Sequence, residues 1–288
     1  MPCNLLNNTT MAKRLFPSLL TLFSLAWVLS AHAQYQVSGP VAPASTATPL
    51  PSSDLLHSVE LSTGAQRLSD NYGDWRDVTL RGSYKSGANV WQGEIAAKRE
   101  FGQNGVFLGL SDTLTLSPDW FTRFSVGAGD GAFYLPQFRG DVFIYRKWLE
   151  QRNLVSSVGL GYYRAPDGHT DQSVSLGATY YFTQPWILEA GVRFNNSNPG
   201  GIKSHQQFVA VTYGTVGNDV VTARYGWGGE GYQAIASNLT LVNFESHQSS
   251  LSWRHWFNRR SGVVLSVEQY SNPSYQRQGL TAGIFHEF

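Results

Sequence analysis

Cysteine is almost missing from this chain of 288 residues: Cys3 is the only one, and both methionines also fall before residue 34. Beyond that point there is no thiol, no disulfide and no cysteine-held metal. Charge is scarce as well, at 14% of residues. Setting aside Lys13 and Arg14 from the 21 basic residues leaves 19 against 20 acidic ones, so no basic surplus marks a nucleic acid as partner. After residue 33 no stretch of about 18 apolar residues occurs, which excludes a membrane-spanning helix. A Gly-x-Ser-x-Gly nucleophile elbow is absent. Asp70, Asp74 and Asp77 lack the glycine and closing glutamate of a calcium loop, so neither metal nor cofactor is expected. Aromatics and glycine are abundant instead: 9 Trp, 14 Tyr, 16 Phe and 29 Gly. That balance excludes a coiled coil or a disordered tail and fits an all-β chain.

The first segment reads as an export signal. Lys13-Arg14 precede the apolar run Leu15–Leu29, which ends in Ser30-Ala31-His32-Ala33. A basic start, a short apolar run and a small-x-small ending predict a signal peptide over 1–33, with Met11 as its start, cleaved after Ala33. No cysteine follows the cleavage point, which argues against a lipid anchor. Residues 34–56, with Pro40, Pro43, Pro49 and Pro51 among Ala, Ser and Thr, form an extended periplasmic linker with nothing to pack.

From 57 to 288 the chain changes character. Runs of about 10–13 residues alternate apolar and polar positions, the period of a strand. Trp186, Leu188, Ala190, Val192 and Phe194 alternate with Ile187, Glu189, Gly191, Arg193 and Asn195. Ala223, Tyr225 and Trp227 share one face, and Thr222, Arg224 and Gly226 the other. Globular strands usually span about 5–6 residues, whereas a tilted membrane strand needs about 9–11. The apolar faces carry aromatics near their ends, as interface girdles do, and the other faces carry Gly, Ser, Thr and charges, as a lumen does. The fold expected is an antiparallel transmembrane β-barrel of about fourteen strands, within a range of 12–16. The runs lie near 57–69, 74–86, 89–101, 104–117, 119–129, 140–149, 152–164, 170–182, 185–195, 202–215, 219–228, 244–257, 262–271 and 275–288. Connections near residues 87, 118, 151, 184, 216 and 259 are short. The alternate set, including Gly129–Arg139, Ala165–His169, Asn195–Gly201 and Gly229–Asn243, is mostly longer, as periplasmic turns and extracellular loops would be. Arg99, Asp112 and Arg146 interrupt the alternation.

Alternation places eleven charges inside: Glu60, Arg81, Lys85, Glu94, Lys98, Arg123, Glu189, Arg193, Arg224, Arg254 and Glu268. Charges are costly toward lipid, so these are pore-lining candidates, or members of an ion-pair network that fills the lumen. Their mixed sign argues against strong ion selectivity. Fourteen strands leave a lumen wider than the side-chain-filled barrel of eight, and Gly129–Arg139, with Phe133, Tyr134 and Phe138, is a candidate constriction. Tyr134 and Trp227 are candidates for stacking on sugars.

Catalytic chemistry finds little purchase. In Asp167-Gly168-His169-Thr170-Asp171 a histidine flanked by carboxylates could serve as an oriented base, but the turn chemistry of Pro166-Asp167-Gly168 explains the same residues. His247 and His255 lie near Ser249, Ser250 and Ser252, which alternation explains as lumen lining. The expectation is a protein that is not an enzyme.

The chain ends in Gly283-Ile284-Phe285-His286-Glu287-Phe288. Phe288, with Ile284 and Leu280 on its own face, fits an assembly signal, although His286 stands where an apolar residue is usual. The motifs Arg67-Leu68-Ser69-Asp70, Asp74-Trp75-Arg76, Leu116-Ser117-Pro118-Asp119-Trp120, Tyr134-Leu135-Pro136 and Phe138-Arg139-Gly140 are in the sequence, in that order, before the terminal Phe288. With the whole-length strand pattern over 57–288, the sequence resembles the YaiO-type outer-membrane β-barrel domain, related to the barrels of the exopolysaccharide exporters PgaA and BcsC. The resemblance implies a cell-surface barrel of a Gram-negative outer membrane, linked in some relatives to polysaccharide systems. Its expected partners are outer-membrane lipid, lipopolysaccharide, the barrel-assembly machinery and saccharide. The helical repeats that precede the barrels of the exporters are not matched here, where the short 34–56 linker stands before the barrel. The leading expectation is a channel for polar solutes or for polysaccharide or envelope export. The alternatives are a surface barrel with a plugged lumen and, third, an enzyme barrel.

Overall fold

The computed structural model describes residues 57–183 and 185–288. The expected signal peptide and linker lie outside the described residues. Fourteen antiparallel strands form one closed barrel in which each strand pairs with its neighbours in sequence. They are β1 (Ser58–Leu68), β2 (Asp74–Ser86), β3 (Asn89–Glu100), β4 (Gln103–Thr115), β5 (Trp120–Gly129), β6 (Phe138–Trp148) and β7 (Leu154–Arg164). The second half comprises β8 (Thr170–Tyr181), β9 (Trp186–Asn198), β10 (Ile202–Thr215), β11 (Asp219–Ala236), β12 (Leu239–Trp256), β13 (Ser261–Ser271) and β14 (Gln276–Glu287).

Alternation explains the closure. In β1, Val59 and Leu61 face outward and are exposed, while Glu60 and Ser62 face inward and are buried. β2 repeats the pattern, with Val78 and Leu80 outside and Asp77, Thr79 and Arg81 inside. A wall that is apolar outside and polar inside belongs in lipid, where an open sheet edge would leave unsatisfied backbone groups. Pairing of β1 with β14, from Ser58 opposite Glu287 to Leu68 opposite Arg277, removes that edge. The amide of Phe288 extends the closure, donating to the His57 carbonyl at 2.9 Å. Tyr84, Trp91, Trp120, Trp148, Trp186 and Trp253 are exposed on the outer wall near the rim that holds both barrel ends. That rim is periplasmic in outer-membrane barrels, and the aromatics form its girdle.

Two expectations need correction. The connections are short at both rims, and the longest, 130–137, has eight residues. The expected loop Gly229–Asn243 is instead a paired extension of β11 and β12, turned by Ser237 and Asn238. β10 stops pairing with β11 at Gly228, but Glu230 stays opposite Phe244, Tyr232 opposite Val242 and Gln233 opposite Leu241. A ribbon that satisfies its own backbone can leave the wall, which is why the extra length folded as strand. The second correction concerns Arg99, Asp112 and Arg146. Their ladders run without a register shift, and all three sit on the outward face. Arg99 is one place from the outer end of its pairing with β4, whereas Asp112 stands opposite Trp91. Charges at the margins of the apolar band, rather than strand breaks, blur the sequence pattern.

Candidate functional site

The inner wall carries linked charges. In the periplasmic half, Arg81 Nε donates to Glu94 Oε2 at 2.7 Å and lies 3.6 Å from Glu60. Glu60 also accepts from Arg254 at 2.8 Å, and Arg254 reaches Glu287 at 3.6 Å. This chain of contacts runs from β3 to β12 along the wall. The Arg254 guanidinium lies 3.4 Å from the centre of the Phe285 ring, a cation–π contact that offsets part of its desolvation. On the opposite side, Asp141 accepts from Arg139 at 2.8 Å and from Arg193 at 3.4 Å, and Arg193 donates to Ser173 at 2.7 Å. Lys98 pairs with Glu100 at 3.1 Å, and Arg277 with Glu268 at 3.3 Å. Arg224 stacks on Phe208 at 3.6 Å, with Glu189 at 3.9 Å.

The outer mouth is built differently. Beyond Gly228 the β11–β12 ribbon turns away from the wall and crosses the opening. Gly228 has φ of 131°, which few side chains tolerate. At Gly231 a Cβ would collide with Ser197 of β9, so the ribbon backbone lies directly on that strand. Tyr232 donates its hydroxyl to the Pro199 carbonyl and stacks on His169, with ring centres 5.2 Å apart. Gln233 donates to the Tyr275 hydroxyl at 2.5 Å and accepts from Asn272 at 2.9 Å. Ile235 joins a buried cluster with Leu68, Trp75, Tyr270 and Tyr275. Trp75 belongs to β2, five strands round the barrel from β11.

The remaining connections lock into the same structure. Phe101, in the β3–β4 turn, lies 4.9 Å from Trp75 and 5.9 Å from Phe133. Segment 130–137 folds inward, with Leu135 fully buried and Tyr134 donating to the Lys98 carbonyl at 3.1 Å. All seven outer connections thereby contribute to one interlocked roof. Burial holds the Tyr134 and Tyr275 hydroxyls well above the ordinary phenol range, so both remain protonated and neutral.

All eleven inward candidates (Glu60, Arg81, Lys85, Glu94, Lys98, Arg123, Glu189, Arg193, Arg224, Arg254 and Glu268) lie on the inner face; Lys85, Arg123, Arg224, Arg254 and Glu268 are only half-buried. Leu280, Ile284 and Phe288 share the outward face of the last strand and are exposed. Asp141, Arg139, Glu287 and Arg277 are inward groups that sequence reasoning missed. Parity relative to Val142 and Leu280 was the available signal, but Phe143 and Tyr145 on the inner face of β6, with Arg146 outside, obscured it. Ser249 is a correction, since it faces outward opposite Tyr225. Tyr134 is buried at 4% exposure and cannot stack on a sugar, and Phe138 points outward from the constriction assigned to it. Asp167 accepts from the His169 backbone at 3.1 Å and from its ring at 2.6 Å, a turn that braces the roof under Tyr232.

No curated protein matches the chain at a significant level. Among solved structures, the CymD monoaromatic hydrocarbon channel is similar with a TM-score of 0.56 and 8% identity, over 81% of this chain and 88% of that one. A bacterial polysaccharide outer membrane secretin is similar with a TM-score of 0.52 and 10% identity, over 82% of this chain and 100% of that one. Both likenesses are of fold. The profile of the YaiO membrane beta barrel domain matches residues 56–233, more than half of the chain. Together with the closed fourteen-strand wall, that match makes this chain an outer-membrane protein of the YaiO membrane β-barrel family.

Proposed function

We propose that this barrel is a conduit for polar material, held shut at its outer mouth by the β11–β12 ribbon. The observation that carries this reading is a charged inner wall beneath a ribbon that leaves the wall at Gly228. A lumen meant only to be filled could be apolar at lower cost, because each buried charge must be desolvated and paired. Positive and negative groups alternate along the wall, which suits a neutral, hydroxyl-rich solute better than an ion of one sign. Saccharide is the substrate class this favours, in keeping with the polysaccharide secretin among barrels of similar fold. The conduit reading includes no catalytic step.

The test is planar-bilayer conductance of the folded protein beside a variant in which residues 230–244 are replaced by Asn-Gly, joining the paired Gly229 and Glu245. The expected result is rare openings in the parent, stable openings in the variant, and a block of the variant's current by soluble oligosaccharide. A second reading, a static surface barrel, is favoured by the tie between all seven outer connections. Silence of the shortened variant, with the heat-modifiable folded band intact, would replace the conduit with that reading.

A further inference from the structure

Two arginines stand side by side on the wall that faces lipid. Arg76 of β2 and Arg99 of β3 are direct partners across the ladder, and both are exposed on the outward face. Directly opposed side chains lie about 5 Å apart at Cβ, where like charges repel. Arg67 of β1 shares this face and height, and its partner Asp74 is the one carboxylate among these positions. Among the described residues, neither Arg76 nor Arg99 makes an ion pair or a hydrogen bond through its side chain.

Their depth follows from the girdle at the other rim. Tyr84 and Trp91, paired in the same ladder, mark the periplasmic interface eight residues along. Eight residues at about 3.3 Å each give about 26 Å along the strand, or about 20 Å along the membrane normal at a tilt of about 40°. The arginines therefore stand at the outer margin of the apolar band and can extend their guanidinium groups to headgroup level.

A second observation lies lower on the same wall, six residues along each strand from the arginines. Gly82 and Gly93 face each other on the outward wall and leave a furrow of about 580 Å³, bordered by Leu80, Ile95, Leu108 and Leu110. The outward-facing Val78 and Ala97 carry the apolar surface from the furrow up to the two guanidinium groups, an arrangement complementary to an acyl chain joined to an anionic headgroup. Arginine presents paired N–H donors that match a phosphate.

We propose that Arg76 and Arg99, supported by Arg67, bind a phosphate of an outer-leaflet glycolipid whose acyl chain lies in the Gly82–Gly93 furrow. The ligand class is a phosphorylated, acylated saccharide.

The experiment measures retention of bisphosphorylated hexa-acyl lipid A on the folded chain in maltoside micelles by native mass spectrometry. Dephosphorylated lipid A and inorganic phosphate serve as comparison probes. The unaltered protein should hold the bisphosphorylated lipid at least about tenfold more tightly than the dephosphorylated one. R76Q with R99Q should remove that margin while leaving the heat-modifiable band unchanged, and Gly93→Trp should weaken both lipids by obstructing the furrow. Equal retention of the two lipids by the unaltered protein overturns the proposal whether or not the variants fold. Unchanged binding in the double variant overturns it too. Competition by inorganic phosphate at the same concentration as the lipid would make this a free-anion site and overturn the lipid assignment.

Discussion

The two rims of this barrel handle the same problem differently. At the periplasmic rim, contacts among the described residues follow the wall. Phe143, Tyr145 and Val155 cluster on adjacent strands, and Trp256 and Phe285 cluster across the single strand between them, with Val220 nearby. Turns there touch mainly through one exposed ion pair, Arg152 with Asp119 at 2.6 Å. At the outer rim, contacts cross the opening, and Ile235 meets Trp75 from five strands away. The outward arginines differ in parallel. Arg146 near the periplasmic rim is held over the Trp148 ring at 3.7 Å and beside Trp120 at 5.2 Å. Among the described residues, Arg76 and Arg99 near the outer rim have no such partners. Local contact suffices where the wall needs only closure; long-range contact and unmet charge collect where the molecule faces outward.

The largest effect should come from the wall at the periplasmic rim. Arg254→Ala leaves Glu60 and Glu287 without the guanidinium that lies 2.8 Å and 3.6 Å from them. Removing one partner of a buried ionic contact costs about 3–5 kcal/mol, and urea unfolding in lipid vesicles should register a loss of that order. A loss below about 1 kcal/mol would mean that these carboxylates are hydrated, and that the wall there resembles an open channel lining. Next in size is Ala223→Arg, on the outward face of β11. Lipid-facing arginine near the midplane costs about 2–4 kcal/mol, whereas Arg224→Ala on the inner face should cost less, since Arg224 meets Glu189 only at 3.9 Å. Equal tolerance of both changes would reverse the faces of the strand.

The wall was legible in the sequence because each strand reports its own orientation every two residues. Ala223, Arg224 and Tyr225 declare opposite faces without reference to any neighbour. The roof was not legible, because its contacts join residues such as Tyr232 and His169, or Phe101 and Tyr275, that no local period connects. The alternation of β11 and β12 stops marking membrane depth after Gly228, and the residues beyond it resembled a loop. The closely spaced Gly228, Gly229 and Gly231 were the available signal of departure from the wall. The outward arginines were visible only as faults in a pattern, since sequence parity cannot separate a register break from a charge at the edge of the apolar band.

The roof itself can be loosened without touching the wall. Gly231→Val introduces a branched side chain where the ribbon backbone lies against Ser197. Overpacking of this kind costs about 1–3 kcal/mol, and it should appear as release of the ribbon rather than loss of the barrel. Limited proteolysis of the folded protein should then cut between Tyr232 and Val242, with the heat-modifiable band retained. Resistance equal to that of the unaltered protein would show that the ribbon accommodates the side chain in place and that its path does not depend on the close approach at Ser197.

The smallest effect separates the two sets of outward arginines. Arg146→Ala removes contacts with two indole rings, each worth about 0.5–1 kcal/mol at an exposed site, so stability in a phosphate-free detergent should fall by about 1 kcal/mol. Arg146→Lys should restore part of it, because an ammonium still meets the ring faces but without the planar stacking of a guanidinium. Arg99→Gln in the same detergent should cost nothing and could raise stability slightly, since it relieves repulsion from Arg76 across the ladder. Addition of bisphosphorylated lipid A should reverse that order at Arg99 alone, because a ligand that binds the folded barrel stabilises it by mass action. Stability curves measured with and without the lipid decide between the two cases. A lipid-dependent gain of equal size at Arg146 and Arg99 would mean that both rims bind the headgroup, and that neighbouring tryptophans do not satisfy an outward arginine.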